Sequence, residues 1–294
     1  MAAKTKIIGT LILSFALTIA MAFSLPRSEN RSIMRQWFWL NKTYRLSDAE
    51  LIIAGDSRTY RGIDPTSFGD DLNSINLAYS AAGFSKEYLD FVCAHFHENG
   101  KEKVLILGLT PFSFTPTALK NEHLASFLNM SAFQRYKGLY INPTLQLFEP
   151  RSVEDLYPIN TSENYTEVYH KNGWMESNDL PGDSLAAIKS YQSIFDENRV
   201  QESAVSYLMI RVDSLRKAGV TIIGLRLPTT PQMRALEDSL SGYNEQALKH
   251  QFEAAGGLWI DVKDEYFATY DGSHLRPADA RRLTKKIGDK IKQF

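Results

Sequence analysis

Short aliphatic runs, often β-branched, punctuate the chain, each bounded by Gly, Asp, Asn or Pro. They are LIIAG (Leu51 to Gly55), NSINL (Asn73 to Leu77), KVLILGL (Lys103 to Leu109), VTIIGLRL (Val220 to Leu227) and GLWIDV (Gly257 to Val262). Runs of this length without polar alternation predict strands buried on both faces. Between them apolar residues recur at helical spacing over Ser85 to Glu98, Ser184 to Lys217, Pro231 to Ala255 and Pro277 to Lys292. Alternation of strand and helix predicts an α/β fold whose parallel sheet is covered on both faces. The rhythm breaks at about 111–183, a stretch rich in Phe, Tyr, Asn, Pro and Ser without a clear strand-helix unit. It reads as an insertion over the strand ends, either a lid or binding loop or plain surface elaboration.

One apolar run is too long for a strand. Ile7 to Leu25 carries no charge and follows Lys4 and Lys6, and a bilayer-crossing helix needs about 20 such residues. Residues 1–26 are therefore expected to form one N-terminal transmembrane helix, kept as a signal anchor or removed at Ala20-Met21-Ala22 as a signal peptide. Residues 27–50 read as a juxtamembrane linker, and 51–294 as the α/β domain. Trp37, Phe38, Trp39 and Tyr44 in the linker suit a membrane interface or ordinary packing. Arg27, Arg31 and Arg35 partly offset the early lysines, but the very short N-terminus favours a single-pass protein of the cell membrane. Its domain would face the periplasm or exterior.

Composition narrows the function. With 33 Lys+Arg against 34 Asp+Glu in 294 residues, the chain lacks the basic excess of a nucleic-acid binder, so no nucleic acid is expected as partner. The single Cys93 excludes an intramolecular disulfide and reads as a buried structural thiol. His95 and His97 lie two apart on a predicted helix and so point in different directions, which argues against a metal pair. No G-x-x-x-x-G-K-[ST] or G-x-G-x-x-G follows a predicted strand.

Ligands of open α/β sheets bind beyond the carboxyl ends of the strands, which directs attention to Asp56-Ser57-Arg58, Ala78-Tyr79-Ser80 and Thr110-Pro111. Ser57 directly follows a buried strand at a turn that Gly55 permits, where unpaired backbone N–H groups can face a developing oxyanion. Alone, Gly55-Asp56-Ser57 is also an ordinary turn and helix cap. Near the C-terminus, Asp271 lies three residues before His274, ahead of the last predicted helix. A serine nucleophile needs a base, and the base needs a carboxylate on its second nitrogen. One Asp-x-x-His loop can supply both.

Gly55-Asp56-Ser57 and Asp271-x-x-His274 resemble the first and last sequence blocks of the SGNH (GDSL-like) hydrolases, a likeness running from about Leu51 to the end. The resemblance implies a three-layer α/β/α sandwich with a flavodoxin-like parallel sheet, no cofactor, and chemistry on O-acyl esters of glycans or lipids. By position, Ser57 is the nucleophile, His274 the general base and acid, and Asp271 its partner. The family's second-block glycine corresponds to Gly83 or is replaced by an amide near Ser80. Its third-block asparagine is absent, since Gly108-Leu109-Thr110-Pro111 stands there; Thr110 or an insertion residue then completes the oxyanion hole. Arg58 and Arg226 reach the crevice as anion contacts or serve as structural ion pairs. Asp261 and Asp264 are alternative orienting acids. With the N-terminal span, the Gly-Asp-Ser-Arg start and the degraded third block, the chain resembles the DltD-like and AlgX/AlgJ-like envelope proteins. That implies partnership with a membrane-bound O-acyltransferase and an acyltransferase role beside a hydrolytic one. A noncatalytic glycan-binding or scaffold role is the alternative.

Overall fold

The structure is a computed structural model that describes residues 2–24, 31–69, 72–97, 102–146, 165–180, 182–262 and 265–293. Helix α1 (Ala2–Ser24) opens the chain, with side chains described only for 7–20, all exposed. Among the described residues no helix is long and apolar enough to cross a membrane. Helix α2 (Arg31–Tyr44) precedes strand β1 (Leu51–Gly55) and the short helix α3 (Ser57–Gly62). Strand β2 (Ser74–Asn76), helix α4 (Lys86–Cys93) and strand β3 (Lys103–Gly108) follow.

The sheet is wholly parallel among its five strands, which the chain completes with β6 (Val220–Leu225) and β7 (Leu258–Trp259), in the order β2-β1-β3-β6-β7. The molecule is thus α/β with a parallel central sheet. Chain order reverses between β1 and β3, so a crevice opens there at the carboxyl ends of the strands. Successive strand residues face opposite sides, and they divide accordingly. Leu51, Ile53, Val104, Ile106, Ile223 and Leu225 join one apolar cluster with Ala280, Leu283 and Ile287 of the last helix, Pro277–Ile291. Ile52, Ala54, Leu105, Leu107 and Ile222 join another, with Tyr88, Leu89 and Val92 of α4. Each such fully buried aliphatic side chain contributes roughly 1.5–3 kcal/mol.

Between β3 and β6 the chain departs from the expectation of an insertion without regular units. Its described residues include the short helices α5 (Pro116–Leu119), α6 (Glu122–Leu128), α7 (Ala132–Tyr136) and α8 (Asn142–Gln146). An antiparallel hairpin of β4 (Thr166–Tyr169) and β5 (Met175–Asn178) comes next. The predicted helix from Ser184 to Lys217 is two, α9 (Ser184–Glu197) and α10 (Glu202–Lys217), because the link docks elsewhere: Val200 N–H donates to Ser241 O and Gln201 N–H to Phe114 O. Pro231 to Ala255 likewise splits into α11 (Pro231–Leu240) and α12 (Glu245–Ala254). Gly242 between them has φ +76°, and the Asn244 side chain caps α12. The final helix, α13, is the Pro277–Ile291 segment already given.

The expected linker also differs. Phe38, Trp39 and Leu40 of α2 are buried in the larger apolar cluster, so these aromatics are core. Lys42 of α2 is buried as well, its Nζ donating to Ala78 O at 2.6 Å.

Candidate active site

Gly55 has φ +148°, and a Cβ there would meet Thr59 Oγ1 at 2.3 Å and Gly108 O at 2.9 Å. Only glycine lets β1 end in this turn against β3. Asp56 caps α3: its Oδ1 accepts from Arg58 N–H at 3.0 Å and its Oδ2 from the Thr110 hydroxyl at 2.5 Å. Burial pushes the Asp56 carboxyl up, partly opposed by the Arg58 charge and the Thr110 hydrogen bond. Ser57 is the first residue of α3, held at the mouth of the β1/β3 crevice.

The opposite wall is the 269–275 loop. Tyr270 N–H donates to His274 O at 3.0 Å, Thr230 N–H to Gly272 O at 3.0 Å, and Gly272 takes φ +85°. Asp271 Oδ1 accepts the backbone N–H groups of Ser273 (2.9 Å) and His274 (2.7 Å), leaving Oδ2 to His274 Nδ1 at 2.7 Å. His274 Nε2 lies 3.0 Å from Ser57 Oγ. Burial raises the Asp271 carboxyl, but the His274 hydrogen bond and charge and the two amides outweigh it, so it falls to about 2. An ionised Asp271 only accepts, so Nδ1 carries the proton and Nε2 is free to accept from Ser57. Desolvation lowers His274 below its ordinary 6.5; Asp271 pulls it back, and the charges of Arg61 and Arg58 add to the lowering.

The other anticipated residues separate. Parallel pairing of β1 and β2 continues past the strands, with Leu77 N–H donating to Ile53 O and Tyr79 N–H to Gly55 O, which brings the turn carrying Ser80 to the carboxyl end of β1. Among the described residues no acceptor takes the backbone N–H of Ser57 or Ser80. That of Gly83 is taken: it donates to Asn121 Oδ1 at 3.1 Å. A Cβ there would approach the backbone of Ala118, Leu119 and Ser113 to 2.7–2.8 Å, so this glycine serves packing. Thr110 is buried with its hydroxyl spent on Asp56, so it braces the turn and has no hydroxyl proton left for an oxyanion.

Arg58 is a structural ion pair and not an anion contact of the crevice. Its guanidinium is buried, with Nε donating to Ser273 Oγ at 2.8 Å and Nη2 to Glu237 Oε1 at 2.5 Å. Glu237 also binds Arg226 Nη2 at 2.8 Å, and Arg226 adds Asp238 and Glu245, so it too is a structural ion pair. Through Ser273, Arg58 laces α3 to the loop that carries His274. Of the alternative acids, Asp261 binds Lys249 at 2.5 Å, and Asp264 lies outside the described residues.

Sequence reasoning passed over Arg61, one turn after Ser57 on α3. Its Nη1 donates to the Tyr270 hydroxyl at 2.6 Å, and the Tyr270 ring stacks on His274 at 5.7 Å and 15°. The i, i+4 spacing from Ser57 is the signal that would have found it. Lys42 was passed over too. Its ammonium, held by Ala78 O, lies 5.1–5.6 Å from the rings of Phe38, Trp39, Tyr60 and Tyr79, and burial pushes it well below the ordinary lysine value.

Compared with known proteins, the chain matches no family model and no curated protein sequence. Solved structures similar to it include the native M. smegmatis aryl esterase, at 11% identity and TM-score 0.36 over 83% of this chain and 99% of that one. Another is Est24, a carbohydrate acetylesterase from Sinorhizobium meliloti, at 12% identity and TM-score 0.36 over 83% of this chain and 98% of that one.

Proposed function

We propose that the protein is a serine esterase of the SGNH type acting on O-acyl esters of glycans or lipids. The observation that carries this reading is the unbroken chain Asp271 Oδ2, His274 Nδ1, His274 Nε2, Ser57 Oγ, with links of 2.7 and 3.0 Å. Its parts come from sequence positions 217 residues apart. In the reaction, Ser57 Oγ attacks the acyl carbon while His274 Nε2 takes its proton. Asp271 fixes the tautomer and stabilises the imidazolium. The amides of Ser57 and Ser80 hold the tetrahedral oxyanion. His274 then protonates the departing alcohol, leaving an acyl group on Ser57. A second acceptor, deprotonated by the same histidine, releases it.

That acceptor is water for a hydrolase and a sugar hydroxyl for an O-acyltransferase working with a membrane-bound partner; the latter belongs to the same proposal. So does a single-pass placement with the domain outside the cytoplasm, which the uncharged run from Ile7 to Leu25 supports. The test is labelling of the purified protein by a fluorophosphonate probe. Labelling is expected for the wild type and lost in Ser57→Ala. A probe that fails on the wild type while labelling a control hydrolase, or that still labels Ser57→Ala, removes the esterase reading.

A further inference from the structure

Helix α3 meets the 269–275 loop through three polar side chains, and the partners run in opposite chain directions. Ser57 Oγ lies 3.0 Å from His274 Nε2, Arg58 Nε donates to Ser273 Oγ at 2.8 Å, and Arg61 Nη1 donates to the Tyr270 hydroxyl at 2.6 Å. Among the described residues, the two arginine bonds are the hydrogen bonds from α3 to this loop besides the Ser57–His274 pair. The loop's other bonds include those of Asp271 to the amides of Ser273 and His274 and of Thr230 N–H to Gly272 O. These fix its shape and its hold on the connection between β6 and α11, but none of them reaches α3.

Both arginines are themselves held. Arg58 is buried, its Nη2 lies on Glu237 Oε1 at 2.5 Å, and its Cζ stands 4.9 Å from the centre of the Tyr191 ring of α9. Ser273 Oγ in turn donates to the Tyr191 hydroxyl at 3.1 Å. Arg61 Nη2 lies 3.5 Å from Glu167 Oε1, and the Tyr270 hydroxyl also meets Ser177 Oγ at 3.0 Å. A planar guanidinium engaged through two nitrogens has little freedom to rotate. A general base must stay within about 2.6–3.2 Å of the proton it takes, and a misplacement of about 1 Å can cost on the order of 10²-fold in rate. We propose that Arg58 and Arg61 are positioning residues that set the Ser57–His274 distance from the nucleophile's own helix, one through Ser273 beside the base and the other through Tyr270 beside its acid. This inference rests on the esterase reading and deepens it by naming what holds the base in place. The charges of the two arginines bear on the same group: His274 is faced by Asp271 of its own loop and by Arg58 and Arg61 of α3, and the two cations lower it.

The experiment measures kcat, KM and the acid limb of kcat/KM for p-nitrophenyl acetate with the full chain. Ser273→Ala and Tyr270→Phe each delete one hydroxyl and leave both guanidinium groups in place. Each is expected to lower kcat about tenfold, with KM and the acid midpoint unchanged, and the double variant to lose more than the product of the two. Arg61→Gln removes a charge as well, so its kcat should fall and its acid midpoint rise; Arg61→Lys should restore the midpoint but not kcat. Wild-type kcat in the double variant, a loss confined to KM, or an Arg61→Gln midpoint no higher than that of the wild type overturns the proposal. So does a kcat loss that merely matches the fraction unfolded by circular dichroism at the assay temperature. In each of these cases hydrolysis by the wild type leaves the esterase reading standing. If the wild type neither hydrolyses the ester nor takes the fluorophosphonate label, the esterase reading falls, and the positioning is judged by ¹⁵N NMR of the imidazole. A His274 titration midpoint that Arg61→Gln leaves unchanged, or a His274 Nδ1 resonance that does not move in the double variant, then overturns the inference as well.

Discussion

Protonation of His274 ends the proposed chemistry, and its surroundings set where on the pH scale that happens. Burial, assisted by Arg61 and Arg58, lowers it, so the neutral base persists below pH 6.5. The acid limb of kcat/KM, which reports the free enzyme, is therefore expected to have its midpoint under 6.5; a midpoint at or above that value contradicts the arrangement. Asp271 opposes this lowering, and Asp271→Asn should cost about 10³- to 10⁴-fold in kcat through loss of the correct tautomer. The same carboxyl contributes to stability. Its folded value of about 2 lies under the ordinary 3.8, so its contribution is full above pH 3.8 and disappears as pH falls through about 2. Urea unfolding of Asp271→Asn should lack that part of the acid loss, on the order of 2 kcal/mol. Ser57, His274 and Asp271 stood out in the sequence through two short spacings read together, since each alone also fits an ordinary turn or cap. Thr110 and Gly83 misled because what their polar groups bind is decided by Asp56 and Asn121, partners that no local pattern discloses.

Two buried cation systems tie elements to one another. Glu237 of α11 is shared by Arg58 of α3 and Arg226 just past β6, with the whole cluster hidden from solvent. Glu237→Gln leaves the buried Arg58 guanidinium without its carboxylate while Arg226 keeps Asp238 and Glu245, and removal of one member of such a buried set typically costs about 3–5 kcal/mol, readable as a drop in the urea midpoint. Lys42 acts between α2 and the Ala78 to Ser80 turn. Since burial lowers its folded value, the unfolded chain holds the extra proton between that value and the ordinary 10.5, and stability should climb as pH rises through this window. Chemical denaturation at pH 7 and pH 9.5 should show that climb in the wild type and a flatter response in Lys42→Met. An equal slope in both proteins would sink this account. Strands β1, β3 and β6 were legible almost to the residue because aliphatic runs buried on both faces have few other readings. The breaks at 198–201 and 241–244 were not, because helical spacing continues across them while Ser241 O and Phe114 O, distant in sequence, capture the backbone.

For the molecule as a whole, strand-helix alternation made a parallel sheet legible, whereas the strand order and the position of α2 depend on long-range contacts. The segment expected to be a linker is a working part of the domain. Phe38, Trp39 and Leu40 lie in its core, Thr43 Oγ1 is 2.8 Å from the Tyr79 hydroxyl, and Asn41 Nδ2 donates to Lys171 O at 3.1 Å. A boundary for the folded unit therefore falls before residue 31 and not at residue 51. Two truncations separate these possibilities. A chain starting at residue 31 is expected to keep the cooperative unfolding of the full protein and its fluorophosphonate labelling. A chain starting at residue 51 loses three core side chains, whose removal typically costs several kcal/mol each, against a total stability of about 5–15 kcal/mol for most domains. It also leaves Ala78 O without its ammonium partner beside the candidate oxyanion donor Ser80. That shorter chain should be insoluble or unfolded, and any soluble fraction should label slowly. If it unfolds cooperatively at the same urea concentration as the longer one and labels at the same rate, α2 is a linker after all, and Lys42 has no part in holding the site.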